Sequence, residues 1–318
     1  MPVEAADAVE TLVERALGGD RGAVARLISL VETGGPDATD AVARLYPHTG
    51  GAYTVGLTGA PGSGKSTLTD RLIGRIRSEG ARVAVLAIDP TSPFTGGAIL
   101  GDRVRMHDHA TDPDVFIRSM ATRGHLGGLA LATPQAIRIL DAVGNPWVLV
   151  ETVGVGQVEV EVAEAADTTV VVVNPGWGDA VQANKAGLLE IADVFAINKA
   201  DRPGVDDTAR DLAQMLELSA PRSWTPPVVQ TIATDGTGVD ALHDAIQAHR
   251  AHLEHDGELG RRRQARARDE IRSIVVARLT SGAASACEGP AFEALVERVV
   301  QRELDPYRAA EELLPSGA

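Results

Sequence analysis

Apolar runs of strand length recur along the chain, with helical patterns between them. The runs are continuous rather than alternating, as expected for strands that are covered on both faces. They span residues 53–58, 82–88, 146–151, 168–173, 194–198 and 226–232. Helical periodicity lies between them, for example in KSTLTDRLIGRIRSEG and TPQAIRILDAVG. Strand and helix in alternation predict an α/β fold, with a mostly parallel sheet wrapped by helices.

Both ends of the chain carry helical patterns without strands. VEAADAVETLVERAL and RGAVARLISLVE predict two amphipathic helices, and TGGPDATD after them is predicted as a loop. From about residue 237 onward only helical segments follow, including the long, arginine-rich piece at 260–282. The arginine run 261–268 is more typical of a solvated helix face than of an anion site. We therefore predict an N-terminal helical extension (1–50), an α/β domain (51–256) and a C-terminal helical arm (257–318).

Composition narrows the class of protein. The chain has 318 residues and 44% hydrophobic content, enough for a substantial core. Its net charge of −14 argues against a nucleic-acid partner, which would usually meet a basic face. The single cysteine, Cys287, excludes an internal disulfide and a multi-cysteine zinc site. We see neither a secretory signal nor an apolar run of the roughly 18 residues that a membrane helix needs, so a soluble, cytoplasmic protein is expected.

The first apolar run leads directly into GAPGSGKST, which matches the phosphate-loop pattern G-x-x-x-x-G-K-[ST]. Its flanks are the expected ones, a strand before and a helix after. Glycines let successive backbone N–H groups turn inward and surround phosphates at a helix N-terminus. Lys65 is expected to reach the β- and γ-phosphate oxygens, and Ser66 to place its hydroxyl on Mg²⁺. The fold is thus predicted to be that of a P-loop NTPase, with these phosphate-binding residues: Gly59, Gly62, Ser63, Gly64, Lys65, Ser66 and Thr67.

A second motif, NKAD, ends the apolar run at 194–198 and matches the guanine-specificity pattern N-K-x-D. The Asp201 carboxylate can accept both the ring N–H and the exocyclic amino group of guanine, a donor pair that adenine lacks. Lys199 would lay its methylene stem along the base, and Asn198 would tie this loop to the phosphate loop. The later stretch TIATDGTG is expected to place the Ala233 amide on the guanine carbonyl oxygen, although Ile232 stands where serine is usual. GTP and GDP are the predicted ligands.

The segment ETVGVGQ follows the run at 146–151 and resembles the D-x-x-G motif of small GTPases with glutamate in place of aspartate. Glu151 is then placed to enter the Mg²⁺ shell, and Gly154 to donate its N–H to the γ-phosphate. Val155 occupies the position where Ras-type proteins orient water with glutamine, while Gln157 lies two residues further on. Slow intrinsic hydrolysis is therefore expected.

The run at 82–88 ends in DPTSPFTGGAILGDRVRM, a loop rich in glycine, serine, threonine and proline with two carboxylates. Such a loop suits a switch that becomes ordered around Mg²⁺ and the γ-phosphate. Asp89, at the strand end, is the stronger candidate for a metal or water contact. Asp102 is also a candidate, but beside Arg103 it could equally form a surface ion pair.

Together these motifs resemble the accessory GTPases of cobalamin-dependent acyl-CoA mutases, which include proteins formerly described as arginine/ornithine transport-system kinases. The resemblance extends from about residue 10 to about 305. It implies a Mg²⁺-dependent GTPase that acts as a chaperone or gatekeeper for an adenosylcobalamin-dependent mutase, with methylmalonyl-CoA mutase as the best-known client. It also implies a homodimer formed through the C-terminal helices. The implied catalytic residues are Lys65, Asp89, Asp102 and Glu151, and the implied metal ligands are Ser66, Asp89, Asp102 and Glu151.

The resemblance further implies a third switch in NPGWGDAVQANKAG, which links nucleotide state to the mutase. Lys185 is its switch lysine, with Asp179 and Gln182 as partners. The chain contains three lysines against 27 arginines, and Lys65, Lys185 and Lys199 all fall in motifs. Because an arginine fork cannot replace a compact ammonium at every site, this distribution favours a specific role for each lysine.

Two other functions remain open. A metallochaperone GTPase of the nickel-insertion kind would need His/Cys clusters near the switches. A His107-x-His109 pair is present, but the cysteine lies far away at 287. A kinase of a transport protein is the other alternative, and the N-K-x-D motif disfavours it.

Overall fold

The computed structural model describes residues 3–90, 109, 111–122, 128–152, 162–176, 189–218 and 223–313. The chain divides into two compact units, Met1–Arg266 and Ala267–Ala318. The first unit contains a parallel sheet flanked by helices, as predicted. The second unit is helical.

Within the described residues, seven parallel strands form the sheet in the order β3-β2-β4-β1-β5-β6-β7. The three strands that follow β1 along the chain lie on one side of it, and the last three lie on the other. A ligand crevice is expected at the carboxyl ends of the strands where the order reverses in this way. The strands are β1 (Tyr53–Thr58), β2 (Val83–Pro90), β3 (Val115–Thr122), β4 (Trp147–Thr152), β5 (Thr168–Val173), β6 (Val194–Asn198) and β7 (Val228–Thr231).

Strand β3 is absent from the six predicted runs. It lies at the edge of the sheet and pairs with β2, so most of its side chains are only half-buried. Arg118 interrupts its apolar sequence. The Nη2 atom of its side chain donates to Ser29 Oγ at 2.7 Å and to Glu32 Oε2 at 3.2 Å. A search for continuous apolar runs therefore finds the central strands and misses this one.

Three helices precede the sheet, where two helices and a loop were predicted: α1 (Val3–Leu17), α2 (Arg21–Thr33) and α3 (Pro36–Leu45). The loop prediction for TGGPDATD is wrong from Pro36 onward. Proline at the first helical position and Asp37 in the first turn favour a helix start there. Ala41 and Leu45 on α3 are buried in the same core as the β2 and β4 side chains on this face of the sheet.

The remaining helices cover the sheet and form the C-terminal region. They are α4 (Lys65–Ser78), α5 (Gly128–Ala142), α6 (Val205–Glu217), α7 (Val239–His255), α8 (Glu258–Ala286), α9 (Pro290–Val300) and α10 (Pro306–Leu313). Helix α4 buries Leu68, Leu72 and Ile73 against the opposite face from α1–α3. In the described part of the chain, we find no helix with both the length and the apolar character needed to cross a bilayer.

Two aspartates lie at the amino ends of neighbouring strands, at the edge opposite the phosphate loop. Asp167 comes directly before β5 and is 1% exposed, and its carboxylate accepts hydrogen bonds from Arg263 Nη2 at 2.7 Å and from Arg266. Asp193 comes directly before β6 and accepts from Arg262 Nη1 and Nη2, both at 3.1 Å to Oδ1. These three arginines belong to the first turns of α8. The expectation that the arginine run is a solvated face is therefore wrong for them, because each finds a carboxylate that is distant in sequence.

Replacing Asp167 with asparagine is expected to lower the free energy of unfolding by about 2–3 kcal/mol, measured by urea denaturation at pH 7. Removing one partner of a buried ion pair is strongly destabilising, but Arg263 and Arg266 keep some solvent contact, which reduces the loss. Asp269→Asn removes the partner of an exposed arginine on the same helix and should change stability by less than about 0.5 kcal/mol.

The pH dependence provides a second check on Asp167. Burial alone would raise the pKa of its carboxyl, but the hydrogen bond from Arg263 and the charge of Arg266 lower that pKa below its ordinary value. The stabilisation is therefore present above the ordinary pKa of about 4 and is lost as the pH falls through the lowered value. The difference between wild type and Asp167→Asn should be constant from about pH 5 to 8 and shrink below about pH 4. A difference that grows on acidification would contradict this account.

Candidate functional site

The phosphate-loop sequence connects β1 to α4 at the carboxyl edge of the sheet. Gly59, the first residue after β1, has φ of 134°, and a Cβ at this position would overlap the carbonyl oxygen of Val172 on β5. Only glycine lets the backbone pass this close to the neighbouring strand. The loop is therefore held against the sheet before it reaches the helix.

Gly64 is the N-cap of α4, with φ of 93°. A Cβ on Gly64 would overlap the side-chain amide nitrogen of Asn198, so this position also requires glycine. The next residues begin the helix, whose first N–H groups lack intrahelical partners and whose dipole is positive at this end. Gly59–Thr67 thus forms a backbone arrangement suited to an anion such as a phosphate.

Lys65 is 5% exposed and folds over this loop. Its Nζ donates to the carbonyl oxygens of Gly59 at 2.6 Å and Ala60 at 3.0 Å. The ammonium group therefore lies on the same loop that presents the helix N-terminus, next to the position expected for phosphate oxygens. Thr67 lies in the first turn of α4 and is exposed.

Ser66 and Glu151 meet at the bottom of the site. The Ser66 hydroxyl donates to Glu151 Oε1 at 2.5 Å, and both side chains are buried. A hydroxyl and a carboxylate are hard oxygen ligands of the kind that Mg²⁺ binds, so this pair fits such an ion. Parallel pairing places Ile88 of β2 beside Thr152 of β4, which brings the backbone of the next β2 residue, Asp89, to the same edge of the sheet.

Asn198, the last residue of β6, joins three segments. Its Nδ2 donates to the Ser63 carbonyl oxygen at 2.8 Å. Its Oδ1 accepts from the Ala233 N–H at 3.0 Å and from the Thr231 hydroxyl at 3.3 Å. Asn198 is 2% exposed, so these bonds form away from solvent. The phosphate loop and the loop after β7 are therefore fixed to one side chain.

Lys199 and Asp201 follow Asn198 along the chain and lie at the rim of the site. Lys199 has φ of 59°, a left-handed conformation that costs a non-glycine residue about 1 kcal/mol or more. Its Nζ donates to the Gly62 carbonyl oxygen at 2.5 Å, so the side chain lies against the phosphate loop. Asp201 is exposed, which leaves its carboxylate accessible to a ligand.

The loop after β7 contains Ala233, which is 3% exposed. Its single N–H donates to Asn198 Oδ1 at 3.0 Å, so the donor predicted for the guanine carbonyl oxygen is already engaged, and a bound base would have to share this N–H with Asn198. Sequence reasoning missed two side chains here. The Thr231 hydroxyl binds Asn198, and Arg71 on α4 donates to the backbone of this loop. Thr231 opens the stretch TIATDGTG, in which only Ala233 was predicted to have a role. Arg71 binds carbonyl groups that every residue type has, so no sequence signal identifies it.

Several predicted residues lie outside the described part of the chain. For Asp89 the backbone is described but the side chain is not. The others are Asp102, Gly154, Gln157, Asp179, Gln182 and Lys185.

Sequence and fold comparisons relate this chain to known proteins. The model of the family described as methylmalonyl-CoA mutase-associated GTPase MeaB matches residues 24–288. A protein of Pyrococcus abyssi named as a GTPase is 52% identical over 310 residues, which are 96% of each chain. A Mycobacterium bovis protein, also named as a GTPase, is 40% identical over 97% of this chain and 95% of its own. The crystal structure of a LAO/AO transport system kinase has 25% identity and a TM-score of 0.72, covering 96% of each chain.

Gly64→Ala is expected to weaken GDP binding by at least about tenfold (~1.4 kcal/mol), because the new methyl group displaces the Asn198 amide from the phosphate loop. Binding can be measured by isothermal titration calorimetry. Gly80→Ala is the control, in the turn that follows the last residue of α4, Ser78. Gly80 also has positive φ, but its Cβ would meet nothing within 4 Å. This control should cost about 1 kcal/mol of stability and leave GDP affinity unchanged. Equal affinities for the two variants would contradict the role given to the Gly64–Asn198 contact.

Proposed function

This chain belongs to the MeaB family of methylmalonyl-CoA mutase-associated GTPases, and we propose that it serves as a chaperone and gatekeeper for an adenosylcobalamin-dependent acyl-CoA mutase. GTP binding and hydrolysis would be coupled to loading of the mutase with its cofactor and to its protection. Methylmalonyl-CoA mutase is the client that the family name supports. The observation that carries the proposal is Asn198, which ties an N-K-x-D loop to a phosphate loop in a member of this family.

Guanine would be selected at the rim of the site. The exposed Asp201 carboxylate can accept from the ring N–H and the exocyclic amino group together, whereas adenine would leave it without those donors. Lys199 already lies along the phosphate loop through its bond to Gly62, so its stem can cover one face of a base bound beside it. Ala233 would face the guanine carbonyl oxygen.

Hydrolysis would take place at the phosphate end. A Mg²⁺ ion held by Ser66 and Glu151, with Asp89 and Asp102 as further candidates, would neutralise charge on the phosphate oxygens. Lys65 lies on the same loop and would bind the β- and γ-phosphates, and Gly154 would donate its N–H to the γ-phosphate. The chain has Val155 where a water-orienting glutamine is expected, so slow turnover in the absence of a partner follows.

Nucleotide state would be communicated to the client through the segment after β5, with Lys185, Asp179 and Gln182 as the coupling residues. The start of this segment is held against α6, because the Gly176 N–H donates to the Thr208 hydroxyl at 3.1 Å. Strand β5, which leads into it, pairs with β6, which ends at Asn198. The segment therefore begins beside the proposed guanine site.

GTP turnover by the pure protein should rise by about tenfold or more on addition of an adenosylcobalamin-dependent acyl-CoA mutase from the same source, a change of ~1.4 kcal/mol in the barrier. The measurement is phosphate release with saturating GTP. ATP in place of GTP is the control and should give no stimulated turnover. If GTP binds tightly but the mutase leaves its turnover unchanged, the GTPase assignment stands and the proposed client is wrong.

We also propose that the chain forms a homodimer through its C-terminal helices. Helix α8 presents a row of exposed apolar side chains, with Ile271 at 63%, Val275 at 50% and Leu279 at 61% exposure. They are spaced four residues apart and so lie on one face of the helix. An apolar row of this kind on an otherwise charged helix is expected to be buried against a partner surface.

Ile271→Asp should convert the dimer to a monomer, because a carboxylate in an apolar interface is desolvated without a partner. Light scattering coupled to size-exclusion chromatography measures the mass directly. Ser273→Asp is the matched control, since it adds the same charge to the same helix on the side away from the row. A wild-type protein that elutes as a monomer at all concentrations would refute the dimer.

A further inference from the structure

Arg71 binds two consecutive carbonyl groups of the loop that follows β7. This loop, residues 232–237, is called the base loop below. The Arg71 Nε donates to the Ala233 oxygen at 3.0 Å, and Nη2 donates to the Thr234 oxygen at 2.8 Å. One planar guanidinium can reach both acceptors because its donors diverge at a fixed angle. The contact joins residues 162 and 163 positions apart in sequence.

The base loop is closed at its base by its own backbone. The Ile232 N–H donates to the Thr237 oxygen at 2.9 Å, and the Gly236 N–H donates to the Ile232 oxygen at 2.9 Å. The Asp235 carboxylate accepts from the Thr237 N–H at 2.8 Å. These bonds fix the shape of the loop, but they connect it to no other element. Side chains of other elements therefore hold the base loop at its position relative to the phosphate loop.

Two such contacts meet at Ala233. Its N–H is bound by Asn198, which also binds the phosphate loop at Ser63. Its carbonyl oxygen is bound by Arg71, which lies on α4, the helix that begins at the phosphate loop. The peptide groups on both sides of the Ala233 Cα are therefore tied to the phosphate-binding segment. Ile232 has no side-chain donor or acceptor, so the side-chain hydrogen bonds to Ala233 come from Asn198 and Arg71.

We propose that Arg71 is a positioning residue for guanine recognition, which holds Ala233 and the base loop at the distance from the phosphate loop that a guanine nucleotide requires. The inference rests on the proposed function, in which Ala233 and the N-K-x-D loop bind the base. Arg71 itself binds the carbonyl oxygens of the loop and acts through the loop backbone. The ligand class is a guanine or hypoxanthine nucleotide, because both bases carry the 6-oxo group expected at Ala233.

The size and type of the effect follow from these contacts. Arg71 is an exposed residue, so loss of its two hydrogen bonds should weaken nucleotide binding by about threefold to tenfold rather than abolish it. Phosphate cleavage does not change the base, so a contact with the base is expected to be equally strong in the ground state and in the transition state. Removing it should therefore raise KM for GTP and leave kcat unchanged.

The experiment compares Arg71→Ala with Arg75→Ala, its matched control. Arg75 is one helical turn further along α4 and pairs with Glu79 and Asp240, both outside the base loop. Calorimetry should give about a threefold to tenfold higher Kd for GDP in Arg71→Ala and the wild-type value in Arg75→Ala. Arg71→Lys should behave like Arg71→Ala, because one ammonium does not reproduce the two divergent donors. Melting temperatures of the variants show whether folding is intact.

A comparison of GDP with inosine diphosphate shows which contact with the base is weakened in each variant. Arg71→Ala should weaken GDP and inosine diphosphate by the same factor, because both carry the 6-oxo group. Asp201→Ala should weaken GDP more than inosine diphosphate, which lacks the amino group. A loss in Arg71→Ala that is confined to GDP would place the effect at Asp201 and overturn the inference.

The failures of the two proposals are distinguishable. If Asp201→Ala loses GDP affinity while Arg71→Ala matches Arg75→Ala, the inference about Arg71 is wrong and the guanine site stands. If Asp201→Ala binds GDP as tightly as wild type, both are wrong. A fall in kcat for Arg71→Ala at unchanged KM would also overturn the positioning role.

Discussion

The nucleotide site depends on the hydrogen bonds of one buried amide. Asn198 uses its nitrogen for the phosphate loop and its oxygen for the loop after β7, at the carboxyl ends of neighbouring strands. A side chain with one polar end could serve only one of these loops. Two glycines let the backbone come this close, since a Cβ at Gly64 would overlap Asn198 and one at Gly59 would overlap β5. The spacing between the phosphate loop and the loop after β7 thus depends on the hydrogen bonds of Asn198 and on the close backbone approach that these glycines allow.

At the opposite edge of the sheet, ion pairs join segments that are distant in sequence. Asp167 and Asp193 precede β5 and β6 and hold arginines from the first turns of α8, while the backbone N–H groups of Thr54 and Thr169 share the same carboxylates. These two strands therefore carry loops of the proposed site at one end and an ion-paired helix at the other. Both strands are buried along their whole length.

The sequence predicted those parts of the molecule whose signal is local. Continuous apolar runs identified the five central strands and the edge strand β7, and the phosphate-loop and N-K-x-D motifs identified candidates for the residues around the proposed ligand. Contacts between distant segments left no such signal. Arg118 made β3 look polar, although its partner is supplied by α2. In the sequence, the arginines at the start of α8 resemble a solvated helix face. In the structure, they bind Asp167 and Asp193. Arg71 binds backbone oxygens, which no residue type reveals.

The short length of β6 limits the insertions and deletions that this part of the chain can tolerate. Asp193 and Asn198 are separated by four residues, and each is fixed to a different edge of the sheet. Adding or deleting one residue between them would reverse the faces of the intervening side chains and detach one of the two ends. Length variation among homologues should therefore be excluded from this hexapeptide and accumulate beyond it, as in the connection from α6 to β7. We expect the spacing between the two residues to vary less among homologues than the identity of the apolar residues that fill it.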